Sequence, residues 1–199
     1  EPQSETVWRQ ADKYGVPRIC FVNKMDRTGA SFSRTIEMIV DRLKAVPAPI
    51  QLPIGAESQF AGIIDLIDEV AYVFHDEMGQ NIEQTEIPAD LRDEAKAARH
   101  HLVELIAESD EELMMRYLED DVLTADELRA ALRAATVTGK LVPVLCGSSL
   151  KNKGVQQMLD AIVAYLPSPL DVPPVTGIDP KSGDEVVRTV EPGQPFSAL

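Results

Sequence analysis

The sequence predicts an α/β fold: a mostly parallel sheet, interrupted by an α+β insertion that carries an antiparallel sheet. Two short apolar runs, residues 19–22 and 141–145, each lead into a polar loop and then a helical pattern. Continuous apolar runs of this length are typical of strands buried on both faces of a parallel sheet. The stretch between them contains strand candidates followed by helices, which indicates a separately built α+β region.

Helical spacing of apolar residues and the positions of Gly and Pro predict the individual elements. In the α/β part we expect helices over residues 4–14, 31–44 and 153–165. In the insertion we expect an antiparallel meander of strands over 50–54, 60–67 and 70–75. Three helices follow over 88–107, 110–118 and 124–137, and the last begins with a Thr124-x-x-Glu127 capping box.

The division of the chain follows from these patterns. We expect the α/β part in residues 1–46 and 140–166, the insertion in 47–139, and a Pro-rich linker with the first strand of a β-rich domain in 167–199. Pro47 and Pro49 end the preceding helix and introduce the insertion, and Phe196 begins the last strand. The chain begins Glu-Pro-Gln without Met, and we expect it to be a piece of a longer protein.

Acidic residues are concentrated in the middle of the chain. The whole sequence has 33 Asp and Glu against 19 Lys and Arg, a net charge of −14. Residues 57–127 hold 21 of the acidic and 4 of the basic residues, so the rest of the chain is slightly basic. So acidic a segment repels phosphate backbones, and we expect no direct nucleic-acid site in it. It is either a solvated surface or a docking face for a basic protein.

Cysteine content and hydropathy exclude two classes of protein. Cys20 and Cys146 are too few for a secreted disulfide framework, and both lie in or beside apolar runs. We therefore expect buried, reduced thiols in a cytoplasmic protein. No apolar run approaches the roughly 20 residues that span a bilayer, so we expect no membrane contact.

The first loop, residues 23–30, begins Asn23-Lys24-Met25-Asp26 at the carboxyl end of a predicted buried strand. Open α/β sheets bind ligands at that end of their strands. An Asp carboxylate can accept hydrogen bonds from guanine N1–H and N2–H, a pair that adenine lacks. The Asn amide can bond the O6/N7 edge, and the Lys stem can lie over the ring. The alternative is an ordinary polar loop.

The second loop, residues 147–154, also lies between a predicted strand and a helix. Its backbone N–H groups could reach guanine O6, and Ser148 could brace the carboxylate of Asp26. The alternative is a turn in which a serine caps the helix. Two such loops, each at a strand end, favour a base-binding site more than either alone.

The order of several motifs resembles the GTPase domain of elongation factor G over essentially the whole chain. The similar segments are 4–14 (SETVWRQADKY), 21–27 (FVNKMDR), 54–57 (IGAE), 62–66 (GIIDL), 146–148 (CGS), 151–156 (KNKGVQ) and 165–169 (YLPSP). The resemblance implies the C-terminal half of a P-loop-type GTPase domain with an inserted subdomain. It also implies a translational GTPase that moves tRNA and mRNA on the ribosome.

The same resemblance assigns roles to residues of the two loops. Asn23, Lys24 and Asp26 match the family's guanine-specificity motif, so GTP or GDP is the implied ligand. The second base-contacting loop corresponds to Ser148, Ser149 and Leu150. The family more often has Ala where Ser149 stands, and we expect little loss because the implied contact is a backbone N–H.

Other parts of a GTPase are missing from the sequence. No G-x-x-x-x-G-K-[ST] phosphate loop occurs, and we expect no D-x-x-G metal and switch motif either. The resemblance places both, with the catalytic His, upstream of residue 1. We therefore assign no catalytic residue, no metal ligand and no Mg²⁺ site, and expect no GTP hydrolysis by this chain alone.

For the insertion, the resemblance implies contact with the C-terminal domain of the ribosomal stalk protein. Glu104, Glu108 and Glu111 match the family's acidic stalk-facing positions. Their spacing of i, i+4 and i+7 places them on one stripe of a helix, unless a helix boundary near Ser109 intervenes. The alternative is a solvated helix face. We expect a monomer.

Two other functions stay open. The chain could belong to a related ribosomal GTPase, such as a release or ribosome-protection factor. It could also be an acidic docking module without a nucleotide function. A metabolic α/β enzyme is disfavoured because no nucleophile, metal or acid–base set is apparent.

Overall fold

The computed structural model describes residues 2–119, 121–171, 174–179, 181–190 and 193. Two units are present, residues 1–166 and 167–199. The elements of the first unit, in chain order, are α1 (Pro2–Lys13), β1 (Cys20–Val22), α2 (Phe32–Leu43), β2 (Pro47–Pro49), β3 (Gln51–Ile54), β4 (Gly62–Asp65), β5 (Val70–Phe74), β6 (Ile82–Thr85), α3 (Arg92–Ala107), α4 (Glu111–Leu118), α5 (Ala125–Val137), β7 (Val142–Cys146) and α6 (Val155–Tyr165).

A three-stranded parallel sheet in the order β1-β7-β2 positions the two loops. Cys20 pairs with Val144 and Val22 with Cys146, so β1 and β7 end side by side. All five residues of β7 are buried, as expected for a strand covered on both faces. Because both strands end at the same edge, the first and second loops leave the sheet next to each other.

Pro47 and Pro49 do not introduce the insertion: they form β2 of the parallel sheet, paired with β7. Prolines fit here because a strand at the end of the sheet order needs ladder hydrogen bonds on one side only. The hydrogen bonds to β7 at the two ends of β2 involve residues that flank the prolines: the Val142 N–H donates to the Val46 carbonyl, and the Ile50 N–H donates to the Val144 carbonyl. The antiparallel region therefore begins at Gln51.

The predicted meander is a four-stranded antiparallel sheet in the order β3-β4-β5-β6. Its last strand, Ile82–Thr85, was not predicted, because only one of its four residues is apolar. The predicted capping box is present: the Thr124 hydroxyl accepts from the Glu127 N–H, and the Glu127 carboxylate accepts from the Thr124 N–H. The fold class predicted from the sequence, a parallel sheet with a separate antiparallel sheet, is confirmed.

The antiparallel sheet separates two apolar clusters. Ile64 lies in the larger cluster, which contains residues of α3, α5 and β7. Its neighbour Ile63 lies in the second cluster, together with residues of α2, β7 and the first loop. Successive side chains of a strand point to opposite faces, so β4 contributes to both clusters. The parallel and antiparallel regions thus share their cores.

The second unit contains a hairpin of β8 (Val175–Ile178) and β9 (Glu185–Arg188). It follows a short 3-10 turn at Pro169–Asp171, where the sequence predicts a stiff linker. The strand predicted to begin at Phe196 lies outside the described residues. Within the described part of the chain, no helix is long and apolar enough to cross a membrane.

Candidate guanine-binding loops

Backbone hydrogen bonds join the two loops directly. The Met25 N–H donates to the Gly147 carbonyl at 3.0 Å, and the Gly147 N–H donates to the Val22 carbonyl at 3.0 Å. The second loop is closed on itself, because Ser148 and Lys153 exchange N–H to carbonyl bonds of 2.9 and 3.0 Å. The two loops therefore form one connected surface at the carboxyl edge of the sheet.

Asn23 links the loops through its side chain. Its Oδ1 accepts hydrogen bonds from the Ser149 N–H and hydroxyl, both at 3.0 Å. The same oxygen accepts from the Lys24 N–H at 2.7 Å. Lys24 itself adopts a left-handed backbone with φ of 65° and has an exposed side chain. The motif is thus a folded turn whose first residue holds the second loop in place.

The Asp26 carboxylate lies against the second loop. A hydrogen bond from the buried Ser148 side chain holds the pKa of Asp26 below its ordinary value, and Lys151 lowers this pKa further. The Lys151 Nζ is 3.4 Å from Asp26 Oδ2. The Asp26 side chain keeps 16% of its surface exposed. At neutral pH the group is an ionised acceptor that solvent or a ligand can reach, braced by Ser148 as the sequence predicts.

The predicted residues of the first and second loops are therefore brought together: Asn23, Lys24, Asp26, Ser148, Ser149 and Leu150. The Leu150 side chain is 79% exposed, unusual for a leucine, and is free to cover an apolar ring. Gly147 is required by the tight closure of the second loop on itself, because a Cβ there would lie 2.3 Å from the Lys153 carbonyl oxygen.

The expectation that no D-x-x-G tetrapeptide occurs is wrong: Asp12–Gly15, Asp26–Gly29 and Asp76–Gly79 all have this pattern. None of the three aspartates is free to act as a metal and switch residue. Asp12 forms an ion pair with Arg18 at 2.6 Å. Asp26 is engaged by Ser148 and Lys151, as above. The Asp76 carboxylate closes its own turn by accepting from the N–H groups of Met78, Gln80 and Asn81. Among the described residues, no three His, Cys, Asp or Glu side chains form a possible metal site.

The acidic stripe does not lie on one helix. Glu104 belongs to α3, Glu108 caps that helix, and Glu111 begins α4. The boundary near Ser109 has a local cause, because the Ser109 hydroxyl and N–H both bond back to the Ile106 carbonyl. Asp110 then caps α4 by accepting from two of its N–H groups. Glu108 and Glu111 are exposed, and the Glu104 side chain is 47% exposed.

The two cysteines are free thiols, Cys146 buried and Cys20 partly buried. Burial raises the pKa of the Cys20 thiol to about 11, so the thiol is protonated at neutral pH. The sequence assigns no role to two residues that contact the first loop: Lys151, which lies within the second loop, and Glu57, which lies outside both loops. The IGAE segment contributes only to the resemblance, because a carboxylate that contacts a loop 28 residues away leaves no local pattern in the sequence.

Two comparisons with known proteins bear on this site. A family model for the elongation factor Tu GTP binding domain matches residues 1–168. A solved structure of a protein from Thermus thermophilus is 30% identical, with a TM-score of 0.74. The match covers 92% of this chain and 28% of that one, so the chain spans just over a quarter of that protein's length. From the family match over most of its length, the chain belongs to the elongation factor Tu GTP binding domain family.

Proposed function

We propose that the two loops recognise the guanine base of GTP or GDP, as part of a ribosomal GTPase of the elongation factor G type that promotes tRNA and mRNA movement. The observation that carries this proposal is the ionised Asp26 carboxylate, held at the junction of both loops by Ser148 and Lys151. Membership of a GTP-binding family supports it.

The chemistry of the site fits guanine rather than adenine. The Asp26 carboxylate offers two acceptor oxygens to the N1–H and N2–H donors of guanine, whereas adenine has no donor pair at those positions. The low pKa of Asp26 keeps this acceptor ionised throughout the physiological range. The exposed stems of Lys24 and Leu150 are available to cover the ring faces.

Hydrolysis needs more than base recognition. Phosphoryl transfer depends on positioned phosphates and Mg²⁺, which other GTPases hold with a glycine-rich loop, a lysine and switch residues. This sequence contains no such phosphate loop. The two loops fit the base, and the residues that the structure describes include no cluster of three His, Cys, Asp or Glu side chains that could hold Mg²⁺. We therefore propose that the chain alone binds GTP without turning it over.

Nucleotide titrations followed by ¹H–¹⁵N NMR test base recognition. GDP is expected to shift the amides of Asn23 to Asp26 and Ser148 to Leu150, while ADP leaves them unchanged. Asp26→Ala should abolish the shifts, and Asp41→Ala on the exposed face of α2 serves as the matched control. Equal responses to GDP and ADP would contradict guanine recognition.

We also propose that Glu104, Glu108 and Glu111 contact a basic face on the C-terminal domain of the ribosomal stalk protein. All three carboxylates reach solvent around the α3–α4 junction, within the strongly acidic part of the chain. Exposed charges of this kind speed encounter more than they hold a complex.

A calorimetric titration with that domain at low and high salt tests this proposal. Reversing the three glutamates to lysine should weaken binding at low salt. Reversing Glu77, Asp90 and Glu94, which makes the same change in net charge elsewhere, should weaken it less. If binding changes neither with salt nor on reversal of Glu104, Glu108 and Glu111, these glutamates are part of a solvated surface and not of a docking face.

Two related assignments differ in testable ways. A release or ribosome-protection factor would share the guanine loops and differ outside these 199 residues. An acidic docking module would bind the stalk domain and show no response to GDP. The proposal for the whole protein includes the cytoplasm as its location and a monomeric state.

A further inference from the structure

We propose that the antiparallel sheet positions both guanine-binding loops, with Glu57 as the positioning residue for Asp26. This inference rests on the proposed guanine recognition. Glu57 stands in the connection between β3 and β4, outside either loop, and bonds to Met25 and Gly29 on the two sides of Asp26. Its role would be to fix the backbone from which Asp26 projects.

Glu57 holds the first loop at two points that flank Asp26. Its backbone N–H donates to the Met25 carbonyl at 2.9 Å. Its Oε1 accepts from the Gly29 N–H at 2.7 Å. The segment between these points contains Asp26, Arg27 and Thr28. A single residue of the antiparallel region therefore fixes both ends of the turn that carries the guanine-reading carboxylate.

The backbone around Glu57 is shaped for this contact. Glu57 adopts a left-handed conformation with φ of 55°, which is uncommon for a residue with a side chain. The turn before it depends on Gly55, since a Cβ there would lie 2.1 Å from the Gln59 carbonyl oxygen. A connection of such tight geometry gives the Glu57 carboxylate a defined direction.

Apolar packing supports the same part of the first loop. Met25 is 1% exposed although it stands inside the polar Asn-Lys-Met-Asp motif. It belongs to the apolar cluster that contains Phe60, Ile63 and Phe74 of the antiparallel region. The motif's one apolar side chain is thus anchored in a core that this region helps to build.

The second loop is supported by the turn between β5 and β6. A Cβ on Gly79 would lie 2.7 Å from the Asn152 carbonyl oxygen, so the two backbones are in direct contact. The Asn152 Nδ2 group donates to the Gly79 carbonyl at 3.5 Å, and the Lys153 Nζ lies 5.8 Å from the centre of the Phe74 ring. Each guanine-binding loop thus has its own support from the antiparallel sheet.

The expected effect of removing the Glu57 carboxylate is a displaced Asp26. The Gly29 N–H bonds to a charged carboxylate, and loss of such a hydrogen bond should weaken GDP binding about tenfold if the bond holds Asp26 in its binding position. Because Asp26 must meet two donors at once, GDP should be affected more than IDP, whose base lacks the exocyclic amine. General destabilisation of the fold would weaken both nucleotides equally.

The experiment measures GDP and IDP affinity by NMR titration of the 199-residue chain. Glu57→Ala should weaken GDP binding about tenfold and lower the GDP/IDP affinity ratio. Glu57→Gln keeps an acceptor oxygen for the Gly29 N–H and should restore most of the affinity and the ratio. Glu69→Ala is the matched control, because Glu69 also has positive φ in this region but pairs with Arg99.

The outcomes separate this inference from the proposed function. No GDP response in the wild-type chain would overturn guanine recognition and this inference with it. A normal response with Glu57→Ala unchanged, or with Glu69→Ala equally impaired, would overturn only the role of Glu57. If Glu57→Ala does not fold, Glu57→Asp decides, because its carboxylate is one methylene shorter and is drawn back from the Gly29 N–H. A lower GDP/IDP ratio in Glu57→Asp than in the wild-type chain supports the inference, and an unchanged ratio overturns it.

Discussion

The two loops that we propose to bind guanine leave the same edge of one sheet, yet they are held in different ways. The first loop is held by backbone bonds at Met25 and in addition by polar side chains, with Asn23 bonded to the second loop and the Glu57 carboxylate bonded to Gly29. The second loop is fixed by backbone in close contact, at positions such as Gly147 and Gly154 where any side chain would collide. A substitution can weaken or redirect a side-chain hydrogen bond without disturbing the backbone, whereas a side chain added where two backbone segments touch forces them apart. The first loop should therefore control selectivity and the second should control integrity of the site.

Gly147→Ala should give the largest effect on stability. The added Cβ would lie 2.3 Å from the Lys153 carbonyl oxygen and 2.6 Å from Cζ of Phe21. Overpacking of this kind costs about 1–3 kcal/mol, measured as a lower urea midpoint. Gly177→Ala, where no atom lies within 4 Å of the new Cβ, is the control. Equal midpoints for the two variants would show that the second loop is not held by close contact.

Asp26→Asn tests selectivity in the first loop. An amide in place of the carboxylate loses the acceptor for guanine N2–H but can donate to the C2 carbonyl oxygen of xanthine. A bidentate base contact discriminates by about 1–3 kcal/mol, so the GDP to XDP preference should reverse by roughly five- to 150-fold. NMR titration with both nucleotides measures it, and the urea midpoint should change little. If Asp26→Asn weakens binding of both GDP and XDP and the preference between them does not reverse, the result would count against direct contact between Asp26 and the base.

Ser148→Ala gives the smallest effect, through the pKa of Asp26. The Ser148 hydrogen bond lowers the folded-state pKa of Asp26, so the stabilisation is present above the unfolded-state pKa and lost as pH falls through the folded one. The variant should move the Asp26 titration to higher pH, seen in the ¹³Cγ shift. Lys151→Ala should move it in the same direction, because the Lys151 ammonium also lowers the pKa of Asp26. If Asp26 titrates at the same pH in the wild type and in Ser148→Ala, the Ser148 hydrogen bond does not stabilise the ionised Asp26 carboxylate.

The sequence predicted the elements whose cause is local. Apolar runs located β1 and β7, helical spacing located α2 and α6, and the Thr124 capping box was correct to the residue. Both loops that we propose to contact the base could be located, because ligands bind at strand ends in an α/β sheet. These features depend on residues that are close together in the sequence, so a local pattern is enough to predict them.

Features decided by distant partners were missed or misread. Pro47 looks like a helix breaker, and only the adjacent β7 makes it part of a strand. The strand Ile82–Thr85 has little apolar character, and it forms because β5 supplies the backbone hydrogen-bonding partners with which it pairs. Glu57 is one of many glutamates in an acidic segment, and its contact with Gly29 spans 28 positions of the chain. By contrast, the helix boundary that interrupts the i, i+4, i+7 spacing around Glu108 has a local cause and is allowed for by the sequence: the capping bonds of Ser109 and Asp110 compete with a continuous helix.

The three hydrogen bonds accepted by Asn23 Oδ1 have a consequence for the polarity of the site. That oxygen is saturated by the Lys24 N–H and by the N–H and hydroxyl of Ser149. The orientation of the amide is thereby fixed, so it can offer a bound base only its NH₂ group, a pure donor. A purine edge with two acceptors, such as O6 and N7, complements that donor, whereas an exocyclic amine at C6 would meet it donor to donor. Asn23 would thus exclude adenine at the edge of the base opposite the one that Asp26 reads.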